Sequence, residues 1–116
     1  MSSITTHVLD TARGRPAAGV PVVLELLLKQ YATSEEWVER GRGTTDADGR
    51  IKELVTGPLA AGVYRLTFDT AVYFRAQNVE GFYPRVEIVF EVRDPAQHHH
   101  VPLLLSPFGY STYRGS

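Results

Sequence analysis

Val86-Glu87-Ile88-Val89-Phe90-Glu91-Val92-Arg93 carries a clear period of two. Val86, Ile88, Phe90 and Val92 alternate with Glu87, Val89, Glu91 and Arg93, so one side of a strand can enter a core while the other faces water. Tyr64, Leu66 and Phe68 repeat the pattern against Arg65, Thr67 and Asp69. Val20 to Lys29 is rich in Val and Leu and short for a helix, and it reads as a mostly buried strand. Ile4–Leu9 opens the chain as a strand and leads into a loop from Asp10 to Gly19. Val101–Leu105 and Tyr110–Arg114 form two more, joined by a turn at Ser106-Pro107-Phe108-Gly109. Gly14, Gly19, Asp48-Gly49, Gly57-Pro58, Gly62, Gly81, Pro84 and Asp94-Pro95 punctuate the chain at intervals of roughly ten residues, the rhythm of an all-β sandwich or barrel. Thr70 to Asn78 departs from it: Ala71, Tyr73, Phe74 and Gln77 fall at helical spacing after a cap at Asp69 or Thr70. The expectation is an all-β sandwich of about eight strands with one short helix, a single domain over residues 1–116.

Composition narrows the functional classes. A chain of 116 residues supports one core. It should bury about two-thirds of its unfolded surface, with little bulk left to enclose a deep pocket. Twelve basic against thirteen acidic residues, a net charge of −1, lack the excess expected of a nucleic-acid binder. Without cysteine there is no disulfide, thiolate metal site or thiol nucleophile. The longest apolar run, Val20–Leu28, is broken by Glu25 and is far short of the ~20 residues that span a membrane. The start, MSSITTHVLD, lacks the basic and apolar regions of a signal peptide, so a cytoplasmic location is expected, with neither membrane nor nucleic acid as a partner. Lys29 and Lys52 are the only lysines; arginine, whose planar fork suits planar anions, supplies the remaining cations.

Four features carry possible chemistry. His7 lies within the first strand, on the face opposite Ile4, Thr6 and Val8. Asp46-Ala47-Asp48-Gly49-Arg50 lacks the further ligands of a calcium loop and reads as a hairpin turn delivering Arg50 to the next strand. In His98-His99-His100 the outer two share a strand face and His99 points the other way. That pair suits zinc, with His7 as a third ligand, or proton transfer near neutrality. An exposed strand with neither role fits the same residues. Finally, aromatic residues continue almost to the end of the chain. Phe108, Tyr110 and Tyr113 suggest a strand packed down to its last residues, which would fix Ser116 in place.

The segments ITTHVLDTARGRPAAGVPVVLEL, TTDADGRI and HHHVPLLLSPFGYSTYRGS together resemble the 5-hydroxyisourate hydrolases, the transthyretin-related enzymes of urate breakdown. The likeness runs from Ile4 to Ser116, and the terminal Tyr113-Arg114-Gly115-Ser116 is its most specific element. It implies a transthyretin-like β-sandwich of two four-stranded sheets with one short helix. It also implies a homotetramer, a dimer of dimers, with active sites where dimers meet. The implied reaction opens the cyclic amide of 5-hydroxyisourate with neither metal nor other cofactor. His7, Arg50, His100 and Ser116 match the family's catalytic positions, and His7, Arg50, Tyr113 and Ser116 would contact substrate. His98 and Arg114 would support them. His99 stands where the family usually has tyrosine. Transthyretin proper, a thyroid-hormone carrier without catalysis, is the alternative within the same fold. That branch lacks the terminal Tyr-Arg-Gly-Ser and differs at both histidine positions.

Overall fold

The alternating segments become strands in a computed structural model describing residues 3–30, 34–55 and 57–116. The reading of Met1 and Ser2 lies outside these. In chain order the elements are β1 (Ile4–Asp10), β2 (Arg15–Pro16), β3 (Pro21–Gln30), β4 (Glu35–Thr44), β5 (Gly62–Phe68), α1 (Thr70–Ala76), β6 (Val86–Val92), β7 (His99–Ser106) and β8 (Gly109–Thr112). They form two four-stranded sheets, ordered β2-β1-β7-β8 and β4-β3-β5-β6. Ile4, Val8, Leu103 and Leu105 from the first sheet and Val22, Leu24, Leu66 and Phe68 from the second belong to one buried cluster. Removing this apolar surface from water drives the two sheets together.

β1 and β7 run parallel, in register from Ile4 opposite His99 to Asp10 opposite Leu105. The other strand pairs are antiparallel. Inward residues of β1 are Ile4, Thr6, Val8 and Asp10, which leaves Thr5, His7 and Leu9 on the outer side. β7 continues the logic: His99 is buried, while His98 is exposed and His100 is half-buried.

The fold departs from expectation in three places. β4, read from its sequence as no element, is Glu-Glu-Trp-Val-Glu-Arg-Gly-Arg-Gly-Thr, charged and without a period of two. It is a strand because β3 supplies its hydrogen bonds, with register shifts at Leu24/Glu25 and Leu27/Lys29 that suit an edge. Across its outer face the Arg65 guanidinium pairs with Glu25 at 2.8 Å and lies 4.2 Å from the Trp37 ring centroid. The second departure is β2, two residues inside the expected Asp10–Gly19 loop. The helix ends two residues early, where Asn78 adopts φ 56° and Val79 N–H returns to the Phe74 carbonyl.

The helix is tied to the end of β1 by one buried contact. Tyr73 Oη donates to Asp10 Oδ2 at 2.6 Å, while Asp10 Oδ1 accepts from the backbone amides of Ala12 and Arg13. Replacing Tyr73 by Phe leaves one oxygen of a buried carboxylate short of a donor, at a cost of about 1–3 kcal/mol. Urea unfolding of Tyr73→Phe should show a lower midpoint with an unchanged slope. The exposed control Val72→Ala should lose far less.

Candidate active site

The site begins with the parallel pairing, which sets Thr5 directly opposite His100. Two other segments then dock onto these strands through their backbones. In the first, Asp46 Oδ1 accepts the amides of Asp48 at 2.9 Å and Arg50 at 3.0 Å, and Gly49 N–H donates to the Asp46 carbonyl at 2.9 Å. These amides, that of Arg50 foremost, hold the Asp46 carboxyl below the usual carboxylate range. The turn lies against β1 through Val8 N–H to the Gly49 carbonyl, 2.8 Å, and a bridge between His7 and Arg50. Gly49 is required: φ is 76°, and a Cβ would sit 2.4 Å from the Val8 carbonyl oxygen. Arg50 therefore does not enter a following strand, as the turn reading expected; it is held beside His7 as an isolated bridge.

The second segment is the C-terminal one. Gly115 N–H donates to the His100 carbonyl at 2.8 Å. A Cβ at Gly115 would come 2.4 Å from His100 Cδ2, so this backbone packs directly on the imidazole. The expected aromatic packing of the terminus is not what holds it. Phe108, Tyr110 and Tyr113 are 72%, 42% and 58% exposed, and β8 ends at Thr112. The Gly115 bridge to β7 does the holding.

Between these segments lies a cleft of about 540 Å³. Of the expected residues, Arg50, His98, His100 and Ser116 line it. His7 is not among the lining residues; its backbone is bridged to that of Arg50. Tyr113 and Arg114 border a different groove, toward β6, together with the buried His99. Thr5, Thr6, Ile51 and Lys52, assigned no site role from sequence, also line the cleft, as do Asp46 and Asp48, read from sequence only as part of a turn. For Thr5 a signal existed, since it shares the outer face of β1 with His7, but its partner lies 95 residues away. Among the described residues no three His, Cys, Asp or Glu side chains are grouped to hold a metal ion. His98 and His100 instead share the Thr5 hydroxyl, at 2.9 Å from Nε2 and 2.8 Å from Nδ1 respectively.

Electrostatics set the state of His100. Burial and then the nearby cation of Arg50, with smaller contributions from His98 and His7, lower its pKa from the ordinary histidine value. The ring is thus neutral at pH 7 and able to accept a proton. His99 is also lowered, by burial first and Arg114 second, and its Nδ1 has no hydrogen-bond partner. A cleft with a neutral imidazole, a guanidinium carried on a fixed backbone and a hydroxyl is equipped to bind a planar, oxygen-rich molecule and activate water against it.

Comparison with known proteins converges on one group. The family model described as HIUase/Transthyretin matches residues 4–115. The chain belongs to the HIUase/Transthyretin family. Within this family, the 5-hydroxyisourate hydrolase of Mus musculus is 47% identical over 116 residues, spanning 99% of this chain and 96% of the mouse protein. The structure of Klebsiella pneumoniae 5-hydroxyisourate hydrolase superposes with a TM-score of 0.83 at 37% identity, covering all of both chains. Sea bream transthyretin in complex with thyroxine gives 0.86 at 33% identity, covering 98% and 95% of the two chains. Fold likeness therefore does not separate the hydrolase and transthyretin branches of the HIUase/Transthyretin family, and side-chain chemistry must.

The Arg50 contribution can be isolated. In Arg50→Gln the protonated form of His100 loses a repelling charge, so its pKa should rise. Because burial is the larger cause, it should still titrate below free histidine. Proton NMR titration of the His100 ring in both proteins measures the difference.

Proposed function

We propose that this protein hydrolyses 5-hydroxyisourate to 2-oxo-4-hydroxy-4-carboxy-5-ureidoimidazoline, the second stage from urate to (S)-allantoin. The observation that carries the reading is the meeting of Arg50, His100 and Ser116 on one cleft. The hydrolases of mouse and Klebsiella pneumoniae, similar over nearly the whole chain, support it. Opening a cyclic amide needs a water made nucleophilic and stabilisation of the charge that develops on the carbonyl oxygen. His100, neutral at pH 7, accepts a proton from the water as it adds to the ring carbonyl. Arg50 faces the oxygen-rich substrate and stabilises the developing oxyanion through its fork. The tetrahedral intermediate collapses with cleavage of the C–N bond, and the leaving nitrogen takes a proton from His100 or from His7. Ser116 orients the substrate by hydrogen bonding. Tyr113 and Arg114 border the second groove, which shares His100 with the cleft, and join the cleft through the terminal backbone that Gly115 anchors.

Assembly as a homotetramer, a dimer of dimers, belongs to the same reading, as does residence in the cytoplasm. Supporting assembly, Val89, Phe82, Phe108 and Tyr113 are 59%, 68%, 72% and 58% exposed. Exposed apolar side chains of this size are available to be covered by a neighbouring copy. Neighbouring copies would deepen a cleft that one chain of this size leaves open. No helix among the described residues is long and apolar enough to cross a membrane.

The carrier reading rests on likeness to thyroxine-bound transthyretin, and it gives no role to Arg50, His100 and Ser116. Freshly generated 5-hydroxyisourate, followed by ultraviolet absorbance, should disappear faster with the protein than spontaneously. His100→Asn should lower kcat by about 10²–10⁴-fold. Arg50→Gln should lower kcat/KM by about 10²–10³-fold. Light scattering should give four copies for all three proteins. Unchanged rates in both variants, or thyroxine binding without hydrolysis, would overturn the assignment.

A further inference from the structure

We propose that Thr5 is a positioning residue that sets the tautomer of His100 by joining it to His98 through one shared hydroxyl. The inference rests on the hydrolase reading above and goes beyond the residues which that reading employs.

Thr5 Oγ1 lies 2.8 Å from His100 Nδ1 and 2.9 Å from His98 Nε2. A hydroxyl has one proton to donate and two lone pairs to accept with. It cannot donate to both rings, so at least one ring must donate to it. Which ring does so has chemical consequences. If Thr5 donates to His100, the proton of that neutral imidazole is driven to Nε2. The ring can then give a proton but not accept one. If Thr5 donates to His98, or to neither ring, His100 must carry its proton on Nδ1, and Nε2 keeps its lone pair. His100 Nε2 has no protein hydrogen-bond partner among the described residues, and His100 lines the cleft. Only the second arrangement leaves a base available there.

With His98 as the acceptor, the second arrangement follows. As the Nδ1–H tautomer it presents Nε2 as an acceptor, draws the Thr5 proton away from His100 and so obliges His100 Nδ1–H to donate to Thr5 Oγ1. The chain then runs in one sense, from His100 to Thr5 to His98. When Nε2 takes a proton from the attacking water, both His100 nitrogens are protonated and the donation to Thr5 strengthens, because its donor is now cationic. The same proton leaves Nε2 for the departing ring nitrogen, returning His100 to its starting tautomer with no proton gained or lost. Parallel pairing fixes the geometry, since Thr5 and His100 are register partners on β1 and β7. It also connects exposed His98, at the entrance to β7, to the base through Thr5.

Thr5→Val keeps the shape and a strong strand propensity while removing the hydroxyl, and Thr5→Ser restores it. Nitrogen-15 NMR of the histidine rings should show His100 in the Nδ1–H form in the wild type and in Thr5→Ser. In Thr5→Val it should become a mixture of tautomers. In turnover, Thr5→Val should lose at least about 10-fold in kcat with KM held within about 2-fold, and Thr5→Ser should recover most of it. His98→Phe should lower kcat in the same direction, and adding it to Thr5→Val should cost nothing further, because the two act through one contact. Nε2–H on His100 in the wild type, or an unaltered tautomer and kcat in Thr5→Val, would overturn the inference. So would additive losses in the double variant. The NMR arm needs no turnover, so a failure of wild-type hydrolysis would count against the function alone.

Discussion

The parallel pairing of β1 with β7 is the constraint on which the site depends. It places Thr5 against His100 and leaves the far edges of both strands to the backbone segments that complete the cleft. The Asp46–Arg50 turn attaches to β1 through Val8, and the terminal segment attaches to β7 through the His100 carbonyl. Residues from four distant parts of the chain are thus fixed by backbone hydrogen bonds. Such bonds hold a constellation more tightly than long side chains resting on one another. Gly49 and Gly115 permit this, for in each case a Cβ would occupy space taken by β1 or by the His100 ring.

This arrangement lets a nearly neutral chain present a polarised site. Arg50 is close enough to His100 to disfavour imidazolium, while burial works in the same direction. The result is a base that stays neutral beside a cation able to hold an oxyanion. Across the sheet, His99 points to the second groove, and alternation along β7 keeps it separate from the cleft despite its place between two cleft-lining histidines.

Much of the sandwich was legible in the sequence because half-buried strands advertise themselves. Val86–Val92 and Gly62–Phe68 alternate cleanly, and Ile4–Asp10 alternates with Thr6 and Asp10 standing in as inward polar residues. β4 was illegible, since its strand character comes from pairing with β3 and its own side chains are largely exposed. The terminus was misread in mechanism: its aromatics stay exposed, and a glycine amide supplies the anchor. His7, Arg50, His98, His100 and Ser116 stood out as residues able to carry chemistry, and the motif resemblance gave them roles. Thr5 did not, because nothing local signals a parallel register between residues 95 positions apart. Likewise, the sequence offered no sign that Tyr113 and Ser116, three residues apart, border different grooves.

A crystal structure with an unreactive oxopurine of the substrate's size would test whether these distant segments act as one site. The ligand should occupy the cleft bounded by Thr5, Arg50, His100 and Ser116, with a carbonyl oxygen facing the Arg50 fork and His100 Nε2 within hydrogen-bond reach of the ring or of a water beside it. A ligand seated in the groove of His99 and Tyr113, with Arg50 and Ser116 untouched, would contradict the account.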